Sequence, residues 1–302
     1  MKLPDDMRAV AEAEGLRSSV LDRFISMRKG SFLAALLFNA FPAVRDRALQ
    51  DPAFMFKLCV EVFGDVALSV ASEVNSRNTH FWDEAEFFVT DVLATVVLNA
   101  TVLAMLSPSV TLGKSPGGRL GLKMAARVPG KLNEFLRLFG NALPANMPAS
   151  AFAAAPAGVV FTPQMRALAL GVQGIRIAAL STGVGLVGQG AANAVCDWRR
   201  KYAPEGYDEG YAAEVSAHGP PLVEPALEWG AFMGVSGNLR QQLVIGMERA
   251  IEGSSVGVKV PAIGRLASLC MRVGNNVWGG EQFARRMRAM EETVAARYGY
   301  YD

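Results

Sequence analysis

The feature that most constrains this chain is an apolar stretch that carries three charges at helical spacing. Residues 54–72 read FMFKLCVEVFGDVALSVAS, and the only charged residues among them are Lys57, Glu61 and Asp65, which stand four residues apart. Positions four apart lie on one face of an α-helix, so the three side chains form a narrow polar stripe. Such a helix is either buried in a large soluble core or placed in a membrane with its stripe turned inward.

Composition and segment length favour the membrane interpretation. Hydrophobic residues make up 51% of the 302 residues, charged residues make up only 19%, and the mean hydropathy is +0.22. A helix of about 20 apolar residues spans roughly 30 Å, the thickness of a hydrocarbon core. Five stretches are candidate spans, namely 52–71, 87–106, 166–195, 223–245 and 262–278. The sequence therefore predicts an all-α, multi-pass helical membrane protein with about four or five transmembrane helices.

The candidate spans divide the chain into three regions. Residues 1–50 have the periodicity of soluble or interfacial amphipathic helices. Residues 51–280 form the predicted membrane domain, which contains a basic loop at 107–164, and residues 281–302 form a basic amphipathic tail on a surface. The opening MKLPDDMRAVAEAEG is acidic, so we expect no transit peptide within this chain.

The third candidate span is rich in small residues. Gly174, Ala178 and Thr182 stand four residues apart, a spacing that lets membrane helices pack backbone to backbone. The alternative, a glycine-rich nucleotide loop, is disfavoured because no G-x-G-x-x-G follows a strand-like run.

The cysteines and histidines indicate neither a disulfide framework nor a metal site. Cys59, Cys196 and Cys270 lie far apart in apolar or helical contexts, and the chain has only two histidines. We expect three buried thiols, no metal and no cofactor.

Charged side chains inside candidate spans are the predicted binding residues, because each costs about 2.5–3.5 kcal/mol at the bilayer centre. Carboxylates would attract a cationic group, Arg240 or Arg272 would hold a substrate carboxylate through two hydrogen bonds, and the asparagines would add neutral hydrogen bonds. The predicted substrate-binding residues are Lys57, Glu61, Asp65, Asp91, Glu228, Asn238, Arg240, Arg272 and Asn275.

A purely structural interpretation of these residues stays open. Lys57 and Glu61 could form a neutralised pair one helical turn apart. Arg240 or Arg265 could extend from the end of a span to lipid headgroups, and Asn238 and Asn275 could link neighbouring helices.

Several segments carry a family resemblance. They are LPDD followed by AEAEGLRSSVLDRF, FLAALLFNAFPAVRDRALQDPAFMFKLCVEVFGD, SGNLRQQLVIGMER and MRVGNNVWGG. In this order they resemble the RETICULATA and RETICULATA-related proteins of plants and algae, over nearly the whole chain. The resemblance implies an integral multi-pass protein of the chloroplast envelope, in the inner membrane, linked to leaf development. It also implies a carrier for basic amino acids such as arginine, lysine and ornithine, and for citrulline.

The sequence leaves three functional classes open. The first is this carrier, with membrane lipids and a small-molecule substrate as its partners and with homo-oligomerisation left open. The second is a non-catalytic envelope scaffold, or a lipid or assembly factor. The third, a soluble all-α enzyme, is the weakest, because the chain shows no nucleophile elbow, P-loop or H-E-x-x-H motif. We expect no nucleic-acid partner, because the basic loop lacks interleaved aromatic residues.

Overall fold

The described part of the chain is α-helical. The computed structural model describes residues 3–13, 15–30, 32–77, 85–110, 112–113, 147–155, 159–202 and 222–298. Within these ranges the β-type pairing is a single bridge between Leu16 and Gly113. The all-α prediction is therefore confirmed.

Four short helices precede the long ones. They are α1 (Asp5–Ala13), α2 (Ser18–Gly30), α3 (Phe32–Ala40) and α4 (Pro42–Gln50). The remaining helices are α5 (Phe54–Arg77), α6 (Ala85–Leu106), α7 (Pro163–Tyr202), α8 (Val223–Phe232), α9 (Asn238–Glu252), α10 (Ser255–Lys259) and α11 (Pro261–Tyr298). A π-helical segment, Met233–Gly237, joins α8 to α9 into one continuous helix.

The long helices close into a ring. α5 packs against α6 and α11, α6 packs against α7, and α7 packs against α8 and the π-helical segment. α9 then packs against α11 and completes the ring. Proline at the first position starts α4, α7 and α11, where its missing N–H leaves no hydrogen bond unmade. The ring encloses an interior space. Residues of α5, α6, α7, the continuous helix from α8 to α9, and α11 border it.

The N-terminal helices pack over one end of this ring. Their buried side chains form one apolar cluster with the start of α5 and the end of α6, which includes Met7, Phe24, Leu49, Phe54 and Leu103. The predicted helical N-terminal region is therefore joined to the bundle through a shared core.

A buried arginine binds this N-terminal region together. The Arg45 side chain has no exposed surface, and its Nη1 donates to Asp6 Oδ1 at 3.0 Å while its Nη2 lies 2.7 Å from Asp46 Oδ1. Burial alone would raise the pKa of Asp6, but the hydrogen bond and the charge of Arg45 outweigh it and hold that pKa below its usual value. Burial has the larger effect on Asp46 and raises its pKa.

Two helices of the described residues are long and apolar enough to cross a membrane. They are Phe88–Leu106 and Pro163–Val195, with mean hydropathies of 1.9 and 1.4 in their most apolar parts. The prediction of four or five spans is therefore not confirmed, since the described residues contain two candidates by length and composition. α5 does not qualify, because it places Lys57, Glu61 and Asp65 within about three helical turns.

Several predicted boundaries differ from the helices observed. The tail that we separated at residue 281 is the second half of α11, which runs without a break from Pro261 to Tyr298. Most of the basic loop, residues 114–146, lies outside the described residues, and 147–155 is non-helical as predicted.

Candidate functional site

The helix α5 is polar on its inner face and apolar on its outer face. The side chains of Glu61 and Asp65 are 0% and 4% exposed, whereas Phe63 between them is 71% exposed. α9 repeats this pattern, because Arg240 and Glu248 are buried while Leu243 is exposed. On these two helices the buried face is therefore polar, and the exposed face carries apolar side chains.

Arg272 on α11 occupies the centre of the buried polar cluster. Its Nη1 lies 2.5 Å from Glu61 Oε1 on α5, and its Nε and Nη2 each donate to Glu248 on α9 at 2.7 Å. Ser268 also donates to Glu248. All three ion-pair partners are almost fully buried. This bidentate geometry satisfies the guanidinium within the protein, so Arg272 acts first as a link between three helices.

Lys57 belongs to the same buried polar cluster, but it does not pair with Glu61 as the sequence suggested. Its Nζ lies 3.0 Å from Asp51 and 2.9 Å from Glu252, and 3.9 Å from Glu248. The expected pairing of Lys57 with Glu61 is wrong, because Glu61 is taken by Arg272 across the bundle.

Asp65 is held by amides instead of cations. Asn99 on α6 donates to Asp65 Oδ2 at 2.8 Å, and Asn276 on α11 donates to Asp65 Oδ1 at 2.9 Å. The same Asn276 amide donates to Glu61 Oε2 at 3.0 Å. Among the ion pairs of the described residues, none includes Asp65.

A cavity of about 540 Å³ opens beside Asp65. This volume falls within the range of small-molecule sites. Its apolar wall comes from Leu68, Leu98, Trp229, Phe232, Met233 and Phe283. Its polar lining is formed by Asp65, Asp91, Asn99, Arg240, Gln241, Asn275 and Asn276.

Arg240 is the cation of the cavity lining. Its side chain is buried between the rings of Phe232 and Trp278, with 5.2 Å and 5.8 Å from Cζ to the two ring centroids. Its Nε donates to the carbonyl oxygen of Ser236 at 3.2 Å. No ion pair described in these ranges includes Arg240. The expectation that Arg240 extends to headgroups is wrong, because the side chain points into the bundle.

The remaining predicted residues separate into two groups. Asp91 and Asn275 line the cavity. Glu228 pairs with Arg286 at 2.8 Å in a partly exposed position. Asn238 donates to the carbonyl oxygen of Leu170 at 3.0 Å and accepts from Gln242, so it joins α9 to α7. The cavity therefore contacts Asp65, Asp91, Arg240 and Asn275 from the predicted set.

Glu248, Gln241 and Asn276 are site residues that the prediction omitted. Glu248 lies beyond the predicted end of the fourth span at residue 245, so the predicted set of interior charges does not include it. The polar residues Asn238, Gln241, Gln242 and Glu248 recur at helical spacing, and this pattern could have identified the polar face of α9. The Oε1 atom of Gln241 is buried without a hydrogen bond.

The small residues of α7 form the predicted close contact. A Cβ on Gly174 would lie 2.8 Å from the carbonyl oxygen of Gly234, and a Cβ on Gly234 would lie 2.7 Å from the Cβ of Ala178. A Cβ on Gly230 would collide with Thr182. The prediction of backbone packing is confirmed, and its partner is the α8 and π-helical segment.

The expectation of buried thiols is wrong for two cysteines. Cys59 and Cys270 are free and exposed on the outer surface of the bundle. In the described part of the chain no group of His, Cys, Asp and Glu side chains is arranged to hold a metal ion.

The fold and the cavity together define a class, namely all-α proteins with buried ion pairs and a cavity between the long helices. A model of the RETICULATA-like family, described as Protein RETICULATA-related, matches residues 46–247. The chain belongs to this family, and the resemblance found in the sequence is confirmed.

Three relatives from Arabidopsis thaliana give the extent of similarity. Protein RETICULATA, chloroplastic, is 32% identical over 93% of this chain and 60% of its own length. Protein RETICULATA-RELATED 1, chloroplastic, is 30% identical over 93% and 60%, and Protein RETICULATA-RELATED 4, chloroplastic, is 29% identical over 92% and 65%. The chain thus spans about 60% of the length of the first relatives it matches. No solved structure matches it.

Proposed function

We propose that this chain is a multi-pass protein of the chloroplast inner envelope and a carrier of basic amino acids, with an effect on leaf development through plastid metabolism. The observation that carries the proposal is a cavity with a carboxylate and a guanidinium, inside a helical ring whose outer faces are apolar. The relatives are named chloroplastic, which supports the compartment.

The apolar outer faces support a lipid environment. Only 22% and 17% of the most apolar parts of the two candidate spans are buried within the bundle. A soluble core helix would bury most of such a stretch. Lipid would cover these faces and also the apolar outer sides of α5 and α9, whose buried charged residues face the interior.

The cavity suits an amino acid with a cationic side chain. Arg240 would bind the substrate carboxylate, because no acidic partner within the described ion pairs occupies its guanidinium. Asp65 and Asp91 would bind the ammonium or guanidinium end, and the Gln241 Oε1 atom would accept a further hydrogen bond. The apolar wall would pack on the aliphatic part of the substrate.

Uptake of radiolabelled L-arginine into proteoliposomes tests this proposal. Replacing Arg240 by Gln should weaken substrate affinity roughly tenfold to hundredfold, since a hydrogen bond to a charged group contributes about 1.5–3 kcal/mol. L-Citrulline tests the selection for a cationic side chain, because it has nearly the shape of arginine without its side-chain charge, and its uptake should be weaker than that of arginine. Arg285→Gln is the matched protein control, because Arg285 is exposed and pairs only with Glu281 among the described contacts.

The second candidate is an envelope scaffold. The link of Arg272 to Glu61 and Glu248 favours it, because these charges are already satisfied within the protein. Folded protein in liposomes that takes up neither arginine, lysine nor ornithine would support the scaffold and contradict the carrier.

A further inference from the structure

Asp65 differs from the other buried carboxylates in what surrounds it. Glu61 and Glu248 each contact Arg272, whereas the two oxygens of Asp65 accept only amide hydrogens from Asn99 and Asn276 in the described contacts. Asp65 is 4% exposed and borders the cavity, while Glu61 borders only the interior cluster. An isolated buried carboxylate is strongly unfavourable, and such groups take up a proton instead.

The charged groups around Asp65 do not supply a counter-ion. Glu61 lies one turn away on α5 and shares the Asn276 amide with it. Asp91 on α6 borders the same cavity, and both are acidic. Arg272 on α11 is held by Glu61 and Glu248, and Arg240 lies in the cavity lining beyond ion-pair distance, packed on Phe232 and Trp278.

We propose that Asp65 is the proton-exchange group of the cavity: it is protonated when the cavity is empty, and it releases its proton when a cationic substrate group binds. This rests on the proposed carrier function and adds the coupling ion to it. The exchange balances in charge and atoms, because the carboxylic acid and the substrate cation give a carboxylate–cation pair and one free proton.

The geometry gives both states of Asp65 a partner. In the protonated state, the unpaired Oε1 of Gln241 borders the same cavity and can accept a hydrogen bond, directly or through water. In the ionised state, the substrate cation lies against Asp65 while Asn99 and Asn276 keep their two hydrogen bonds. The same amide donors therefore hold the carboxyl group in place throughout the exchange.

The first test needs no substrate. Infrared difference spectra of the wild type against Asp65→Asn should show the C=O stretching band of a protonated carboxyl group, in empty protein at neutral pH. The control difference of the wild type against Glu281→Gln should lack that band, because Glu281 is exposed beside Arg285. If the wild type lacks this band, the proposal is overturned, whether or not the protein is a carrier of basic amino acids.

The second test uses L-arginine as the probe. Calorimetric titration in two buffers of different ionisation enthalpy should show proton release by the wild type and by Glu281→Gln, and none by Asp65→Asn. Arginine should also remove the infrared band, whereas citrulline should leave it. Arginine binding with no proton release would overturn the exchange alone. If the folded wild type does not bind arginine, the carrier function is overturned. An infrared band that is still present would then show that Asp65 is protonated in the empty protein.

Discussion

Two buried arginines show how much a single residue depends on its partners. Arg272 contacts two carboxylates from two other helices, whereas Arg240 contacts carbonyl oxygens and aromatic rings and borders the cavity. The sequence places both in apolar stretches and gives no means to distinguish them. The distinction comes from the position of Glu61 and Glu248, which are distant from Arg272 in the chain.

Loss of Arg272 should destabilise the bundle more than loss of any exposed arginine. Arg272→Met leaves the buried Glu61 without a cation and leaves Glu248 with Lys57 at 3.9 Å, so we expect the free energy of unfolding to fall by about 3–5 kcal/mol. Adding Glu61→Gln should cost less than the sum of the single changes, because the two side chains form one pair. Denaturant titration in detergent measures both effects. Arg285→Met is the control and should change little, and a similar loss there would contradict this account.

The glycine beside Arg240 provides a second test at the residue scale. A Cβ on Gly279 would collide with the Arg240 guanidinium, whereas a Cβ on Gly274 of the same helix meets no atom within 4 Å. Gly279→Ala should therefore displace the guanidinium and weaken L-arginine binding. Gly274→Ala should leave binding unchanged and stabilise the helix slightly, by up to about 1 kcal/mol, because Gly274 does not line the cavity. Calorimetric titration compares the two variants, and equal affinities would contradict a substrate-binding role for the Arg240 guanidinium in its observed position.

At the scale of helices, the sequence predicts which face of a helix makes a close contact, but it does not predict which helix lies on the other side of that contact. The spacing of Gly174, Ala178 and Thr182 correctly indicated a close helix contact, because four-residue spacing is a property of one helix. The other side of that contact contains the π-helical segment, which no periodicity in the sequence reveals. The same limit applies to Glu61, whose inward direction follows from its stripe but whose partner Arg272 is set by the closure of the ring.

Adding a methyl group to Gly234 should separate α7 from the π-helical segment. Its Cβ would lie too close to Ala178, so Gly234→Ala should lower the free energy of unfolding by about 1–3 kcal/mol, the usual cost of overpacking. Gly183→Ala on α7 is the matched control, because a Cβ there meets no atom within 4 Å. Equal stability of the two variants would mean that the helices tolerate greater separation. The midpoint of thermal unfolding in detergent measures the difference.

At the scale of the whole molecule, the attachment of the N-terminal helices to the bundle should weaken at low pH. The pKa of Asp6 lies below its usual value of 3.8, so the contact of Asp6 with Arg45 stabilises the protein above about pH 4 and is lost as the pH falls through the lower, folded-state pKa. Asp46 acts in the opposite sense, because its raised pKa makes its ionised form the less favourable one. Hydrogen exchange of α1 should be faster in Asp6→Asn than in the wild type at pH 7. That difference should shrink below the folded-state pKa of Asp6, and a difference that does not depend on pH would exclude this ion pair as its cause.

The apolar outer surface gives a test of the lipid environment itself. Cys59 and Cys270 are exposed on the bundle, so they would react readily with a water-soluble maleimide if water surrounded it. In lipid the same thiols are shielded, because the thiolate does not form in hydrocarbon and the reagent does not enter it.

With Cys196→Ser as the background, we expect little labelling in opened membranes and complete labelling after denaturation. Arg285→Cys in that background supplies an exposed control on the second half of α11 and should label in both states. Rapid labelling of Cys59 and Cys270 in opened membranes would contradict the membrane placement, and with it the reason why the charged residues face inward.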